Sequence, residues 1–142
     1  MLHEVVDDET DAVEATTLLA AFETVLSEAV ADAGRERVVA ETELDESDVD
    51  AVAEGSVADL TVDDAAAVIA VSRDADVDAI RFELRDHLLM GMTTAVLDVD
   101  AIAGAIDADL TGQESQQAVE GRAAMTLAQL AEVMAVIEAR KR

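Results

Sequence analysis

Along most of this chain apolar residues return every three or four positions, the period of a helix with one buried face, and strict alternation is rare. The first run predicts a helix from about Ala12 to Ala33. Leu18, Phe22, Val25, Leu26, Ala29 and Val30 share one side of it, and Gly34 lies just beyond its end. Residues 35–55, RERVVAETELDESDVDAVAEG, place Asp45 and Asp48 at cap spacing, Val49 and Val52 inward and Gly55 as a stop. Thr61 with Asp64 caps another helix, with Val62, Ala65, Val68 and Ile69 as its stripe. A central run over residues 80–97, IRFELRDHLLMGMTTAVL, is apolar on nearly every side from Leu88 onward. Thr111 with Glu114, and Thr126 with Gln129, then form two capping boxes. Gly121 suits the end of a short helix between them, and Leu127, Leu130, Val133, Met134 and Ile137 make the apolar face of a longer one. The first dozen residues offer only Val5 and Val6 to a core. With no proline and 1% aromatic residues, the pattern predicts an all-α fold.

The pattern also repeats. When residues 25–55 are laid on residues 91–121, Ala29-Val30 falls on Ala95-Val96, Asp32 on Asp98, Leu44 on Leu110 and Glu54-Gly55 on Glu120-Gly121. After a one-residue gap Thr61 falls on Thr126, and Ala66, Val68, Ala70 and Val71 on Ala131, Val133, Ala135 and Val136. Alanine and valine matches are cheap in so Ala- and Val-rich a chain, but matched caps and a matched glycine are not. The repeat predicts a tandem duplication of one four-helix unit, with its seam in SRDADVD, residues 72–78. Residues 1–75 would be the first unit and 76–142 the second, joined through a buried central helix in one compact fold.

Charge changes the picture of the surface. Thirty-three acidic residues face nine basic ones, a net −24, and Lys141 is the single lysine. Such a surface suits the cytoplasm of a salt-in halophile, where molar salt shortens the Debye length to about 3 Å and screens most self-repulsion. An acidic disordered chain is excluded, because 51% of the residues are apolar and recur with helical period. Cysteine is absent, so there is no disulfide framework and no thiolate metal site. MLHEVVDDETD lacks the regions of a signal peptide, and the longest near-apolar run, Leu88 to Leu97, is too short for a bilayer. A cytoplasmic protein without a membrane partner is expected.

In RVVAETELDESDVDAVAEG, residues 37–55, Val38 stands at the first apolar position of a helix, Leu44 in a turn, Val49 and Val52 on the core side of a second helix, and Gly55 at its end. This arrangement resembles the lambda-repressor-like helix-turn-helix family. TVDDAAAVI and TLAQLAEVM resemble that family's fourth helix, which packs behind the recognition helix. The chain departs from the family where Glu43 and Asp109 stand at the turn glycine and Thr42 and Ala108 replace a larger apolar residue. In the second unit Ser115 and Ala118 stand where the first has Val49 and Val52. The whole chain, with its MLHEVV start and RDHLLMGMTTAVLDVD centre, also resembles an uncharacterised haloarchaeal family, which implies no activity.

The resemblance implies DNA contact, and charge divides the units. Residues 1–75 carry 21 acidic against 3 basic residues, and DESDVDAVAE puts acids on the face that would enter a groove. From Thr111 onward four acids are balanced by four bases. There the resemblance places Gln113 and Gln117 at base-reading positions and Thr111 and Arg122 at phosphate-contacting ones. The same four residues read equally as the polar side of a solvated helix, since no basic patch accompanies them.

The central helix offers a second surface. Leu88, Met90, Gly91 and Met92 read either as core between the units or as a homodimer or protein-partner surface, since methionine adapts and glycine permits close approach. His87 beside Met90 is a structural histidine rather than a soft-metal ligand, with no further His or Cys to complete a site.

Enzymatic readings find little. There is no nucleophile beside a base and no phosphate-binding loop, and Asp74, Asp76 and Asp78 imitate a calcium loop without its glycine or bidentate glutamate. These aspartates read as linker and helix N-cap. The expectation is a non-enzymatic, cofactor-free regulatory or DNA-associated protein with the second unit as the reader. The alternative is a protein-interaction adaptor of helix-turn-helix descent that no longer binds DNA.

Overall fold

The computed structural model describes residues 15–96, 101 and 125–140. Among these the chain forms six helices: α1 (Ala15–Ala33), α2 (Arg35–Glu41), α3 (Glu46–Ala53), α4 (Val62–Arg73), α5 (Val77–Ala95) and α6 (Leu127–Arg140). The described residues contain no strand beyond one isolated bridge, so the all-α expectation stands. The Thr111–Glu114 box, Gly121, and Val5 and Val6 lie outside the described residues.

Helix boundaries follow from local chemistry. Asp45 and Asp48 form a reciprocal capping box at the start of α3, in which the Asp48 amide donates to Asp45 at 2.8 Å. Thr126 and Gln129 do the same for α6 at 3.0 and 3.2 Å. The Thr61 hydroxyl accepts from the Asp64 amide at α4, and Asp76 accepts from the Asp78 amide at α5. At the end of α3, Gly55 adopts φ 90° while the Gly55 amide donates to Val52 and the Ser56 amide to Ala51, a Schellman closure. Asp74, at φ 51°, ends α4 in the same left-handed region. The three aspartates of the seam are thus a C-cap, an N-cap and a first-turn acid.

Packing is organised around α4. Ala65, Ala66, Val68, Ile69, Ala70 and Val71 are all buried, more than the single stripe the sequence indicates, because α1, α2, α5 and α6 all contact this helix. α1 and α5 each lie against both α4 and α6, and α2 and α3 cover α1. Leu18, Phe22, Leu26, Ala29 and Val30 form the buried face of α1, and Ile80, Leu84, Leu88, Gly91 and Met92 that of α5. All five apolar residues expected on α6 are buried. The buried apolar residues of the described helices form one cluster, with members from Leu18 to Met92 and from Met125 to Ile137.

Two segments meet just ahead of α4 and α6. Thr61 and Thr126 form an antiparallel bridge, in which the Val62 amide donates to Met125 at 2.7 Å and the Leu127 amide to Leu60 at 2.8 Å. The bridge fixes the start of α6 against the start of α4. It also joins the two threonines that the repeat expected from the sequence would superimpose.

The expectation of a buried central helix needs correction. α5 buries one face only, leaving Phe82 61% and Met90 70% exposed, with Leu89 and Val96 also at the surface. A helix has a finite circumference, and α4 and α6 occupy one side of it. Among the described residues, the apolar character beyond that side meets no further helix.

Candidate nucleic-acid and partner interfaces

The first candidate surface is the pair α2 and α3, the segment for which the sequence suggests a helix-turn-helix. Val38, Val49 and Val52 are fully buried and Leu44 nearly so, which seats the turn between α2 and α3 on the core. The turn forms without its usual glycine because Glu43 is not among the positive-φ residues. Thr42 helps to hold it through its hydroxyl, which donates to the Val38 carbonyl at 2.6 Å and accepts from the Leu44 amide at 3.2 Å. Ser27 on α1 donates to the Ala53 carbonyl at 3.0 Å and ties the far end of α3 to the core.

The electrostatics of this surface oppose phosphate. Glu46, Ser47, Asp48, Asp50 and Glu54 are exposed along α3, and the groove between α2 and α3 is lined by Arg35, Glu36, Val39, Glu46, Val49 and Asp50. Its one cation, Arg35, lies 3.2 Å from Asp50. Arg37 reaches Glu41 and, at 2.8 Å, Asp74, so it ties α2 to the end of α4. The hydrogen bonds it donates, to Glu41 first and to Asp74 second, raise its pKa above the ordinary arginine value. Arg81 pairs with Asp63 at 2.9 Å and with Asp78 at 3.4 Å, tying α5 to α4. These arginines neutralise helix junctions rather than make a basic patch.

The second candidate surface is α5. Leu88, Gly91 and Met92 belong to its core side, with Leu88 2% exposed, whereas Met90 points outward. Gly91 has a close-approach role. A Cβ there would sit 2.7 Å from Ile137 Cγ2, so the glycine lets α5 and α6 come together. His87 is half-buried and partnered, consistent with a structural histidine. Phe82 was not singled out by sequence reasoning. The signal was available in its spacing, since Phe82, Asp86 and Met90 are four residues apart on the side opposite Leu84 and Leu88.

Thr111, Gln113, Gln117 and Arg122, the residues assigned to DNA, lie outside the described residues. No group of three or more His, Asp or Glu among the described residues is arranged to hold a metal ion. No helix among them is long and apolar enough to cross a membrane.

The sequence profile of a family of unknown function, DUF5791, matches residues 18–140. The chain belongs to the DUF5791 family. The match begins at the first core residue of α1 and ends with α6, so the DUF5791 unit takes in every helix described above. No curated protein and no solved structure matches the chain.

Proposed function

We propose that this DUF5791 chain is a non-enzymatic regulatory protein made of two tandem helix-turn-helix-type units, in which DNA association is confined to the second. One observation carries the reading: α1 and α5 pack reciprocally on α4 and α6 with matching buried positions. Under the repeat, Leu18, Phe22 and Leu26 fall on Leu84, Leu88 and Met92, all buried, and Ala65, Ala66, Val68 and Ile69 fall on Leu130, Ala131, Val133 and Met134, also all buried. The bridge between Thr61 and Thr126 adds support, because a duplicated pair related by a local two-fold brings equivalent residues together. If α1 and α4 frame a helix-turn-helix, their counterparts frame residues 101–121 in the same role. Gln113 and Gln117, one helical turn apart, then read base edges, and Thr111 and Arg122 hold phosphates. The halophilic, cytoplasmic setting belongs to the same proposal and accounts for the acidic surface.

A second reading, an adaptor that binds protein and not DNA, is favoured by the acidic face of α3 and by exposed Phe82 and Met90. Selection from a random duplex library in molar KCl separates the two. The DNA reading predicts enrichment of a sequence with a shallow salt slope, because few phosphates are neutralised. Replacing Gln113 and Gln117 by Ala then removes about 1–3 kcal/mol of discrimination per lost contact with the fold intact. No enrichment by folded protein leaves the adaptor.

A further inference from the structure

Peroxide chemistry has few places to act on this chain. It contains no cysteine and no tryptophan, which leaves the thioethers of its five methionines as the side chains that a peroxide oxidises directly. Four of the five lie among the described residues. Met92, Met125 and Met134 are buried, at 8%, 5% and 1% exposure, whereas Met90 is 70% exposed. Two methionines separated by one residue on the same helix are thus set apart by the fold alone. Met92 belongs with Gly91 to the buried side of α5, and Met90 faces water.

We propose that Met90 is a site of reversible oxidation by a peroxide, which converts the outward side of α5 from apolar to polar without disturbing the core. In the forward step the Sδ lone pair attacks one peroxide oxygen, an S–O bond forms and the O–O bond breaks. Sulfur gives up two electrons to the peroxide, and the second oxygen takes the proton of the first and leaves as water. The return step consumes two thiols, which become a disulfide as the sulfoxide oxygen departs in water. This chain has no cysteine, so those thiols belong to a separate dithiol reductase, which must reach the sulfoxide. Exposure at Met90 allows that access. Exposure also decides that the fold tolerates the oxygen. At Met90 the new S–O dipole is solvated, and exposed Thr94, one turn further on, stands on the same side of the helix. At Met92 the same oxygen would be buried among apolar side chains, where a polar group without a partner is destabilising. Phe82, two turns before Met90, is exposed as well, so the modified residue sits at one end of the apolar strip that it changes. The inference stands on exposure and composition and holds whether or not the second unit binds DNA.

Limited oxidation of the folded full chain with hydrogen peroxide in molar KCl tests it, read by peptide mass spectrometry and by circular dichroism melts. Met90 is expected to gain one oxygen before Met92, Met125 or Met134 gains any. A chain carrying that one oxygen is expected to melt close to the untreated protein. In guanidinium chloride the four methionines are expected to react at similar rates, since the fold alone separates them. Methionine sulfoxide reductases specific for each sulfoxide epimer, supplied with a dithiol, are expected to return Met90 to the thioether in the folded chain. Met90→Leu is expected to fold and to leave the three buried methionines as slow to oxidise as before. Oxidation of Met92, Met125 or Met134 as fast as Met90 in the folded chain would overturn the inference. So would a sulfoxide at Met90 that unfolds the chain or that the reductases leave in place.

Discussion

Gly91 is where one atom decides how two helices meet. In the interior of a helix an alanine is favoured over glycine by about 0.5–1 kcal/mol through backbone entropy. Here the added Cβ would lie 2.7 Å from Ile137 Cγ2, a branched and buried side chain with no free end to swing away. Overpacking of that kind costs about 1–3 kcal/mol, so the clash outweighs the propensity gain. Gly91→Ala should therefore lower stability by on the order of 1 kcal/mol. In an Ile137→Ala background, where the opposing methyl is gone, the same change should stabilise instead. Denaturation of the four variants in molar KCl measures the reversal, and a Gly91→Ala effect of the same sign in both backgrounds would refute the close approach. The sequence marked Gly91 as permitting close approach but not which helix would approach, because the partner lies far along the chain.

At the scale of elements, what was legible was what is local. The caps at Asp45, Thr61, Asp76 and Thr126 and the stop at Gly55 each depend on residues within one turn, and the structure places them as their spacing requires. The buried faces of α1 and α6 were legible for the same reason. For α5 the sequence leaves core and partner surface open, because apolar character all round a helix does not say which side the core takes. Among the described residues Leu88, Gly91 and Met92 are buried while Met90 is exposed. Glu43 departs from the helix-turn-helix family pattern, which has a glycine at the turn. The conformation there needs no left-handed residue, and the Thr42 hydroxyl supplies the bonds that hold the turn. The DNA-assigned residues rest on the family resemblance and lie outside the described residues, so no local feature of the described helices bears on them.

For the whole molecule, charge governs behaviour outside the core. A net −24 on 142 residues is tolerable when screening is short-ranged, and lowering salt to 0.1 M extends the Debye length to about 10 Å, enough for acids on neighbouring helices to repel one another. The first half is the more vulnerable, with 21 acids against 3 bases. The thermal midpoint should rise steeply from dilute buffer to molar KCl, each kcal/mol of relieved repulsion adding roughly 3–5 °C in a chain of this length. A midpoint unchanged over that range would contradict the electrostatic reading of the surface. On the proposed reading the same imbalance would divide the two units in function, since the acidic α3 opposes the phosphates that residues from Thr111 onward are proposed to meet. The most direct test of that division is a nuclear magnetic resonance titration of the full chain with an enriched duplex in molar KCl. The side-chain amide signals of Gln113 and Gln117 are expected to shift while the backbone signals of Glu46–Ala53 stay in place. Shifts along Glu46–Ala53, or none anywhere at saturating duplex, would contradict the division.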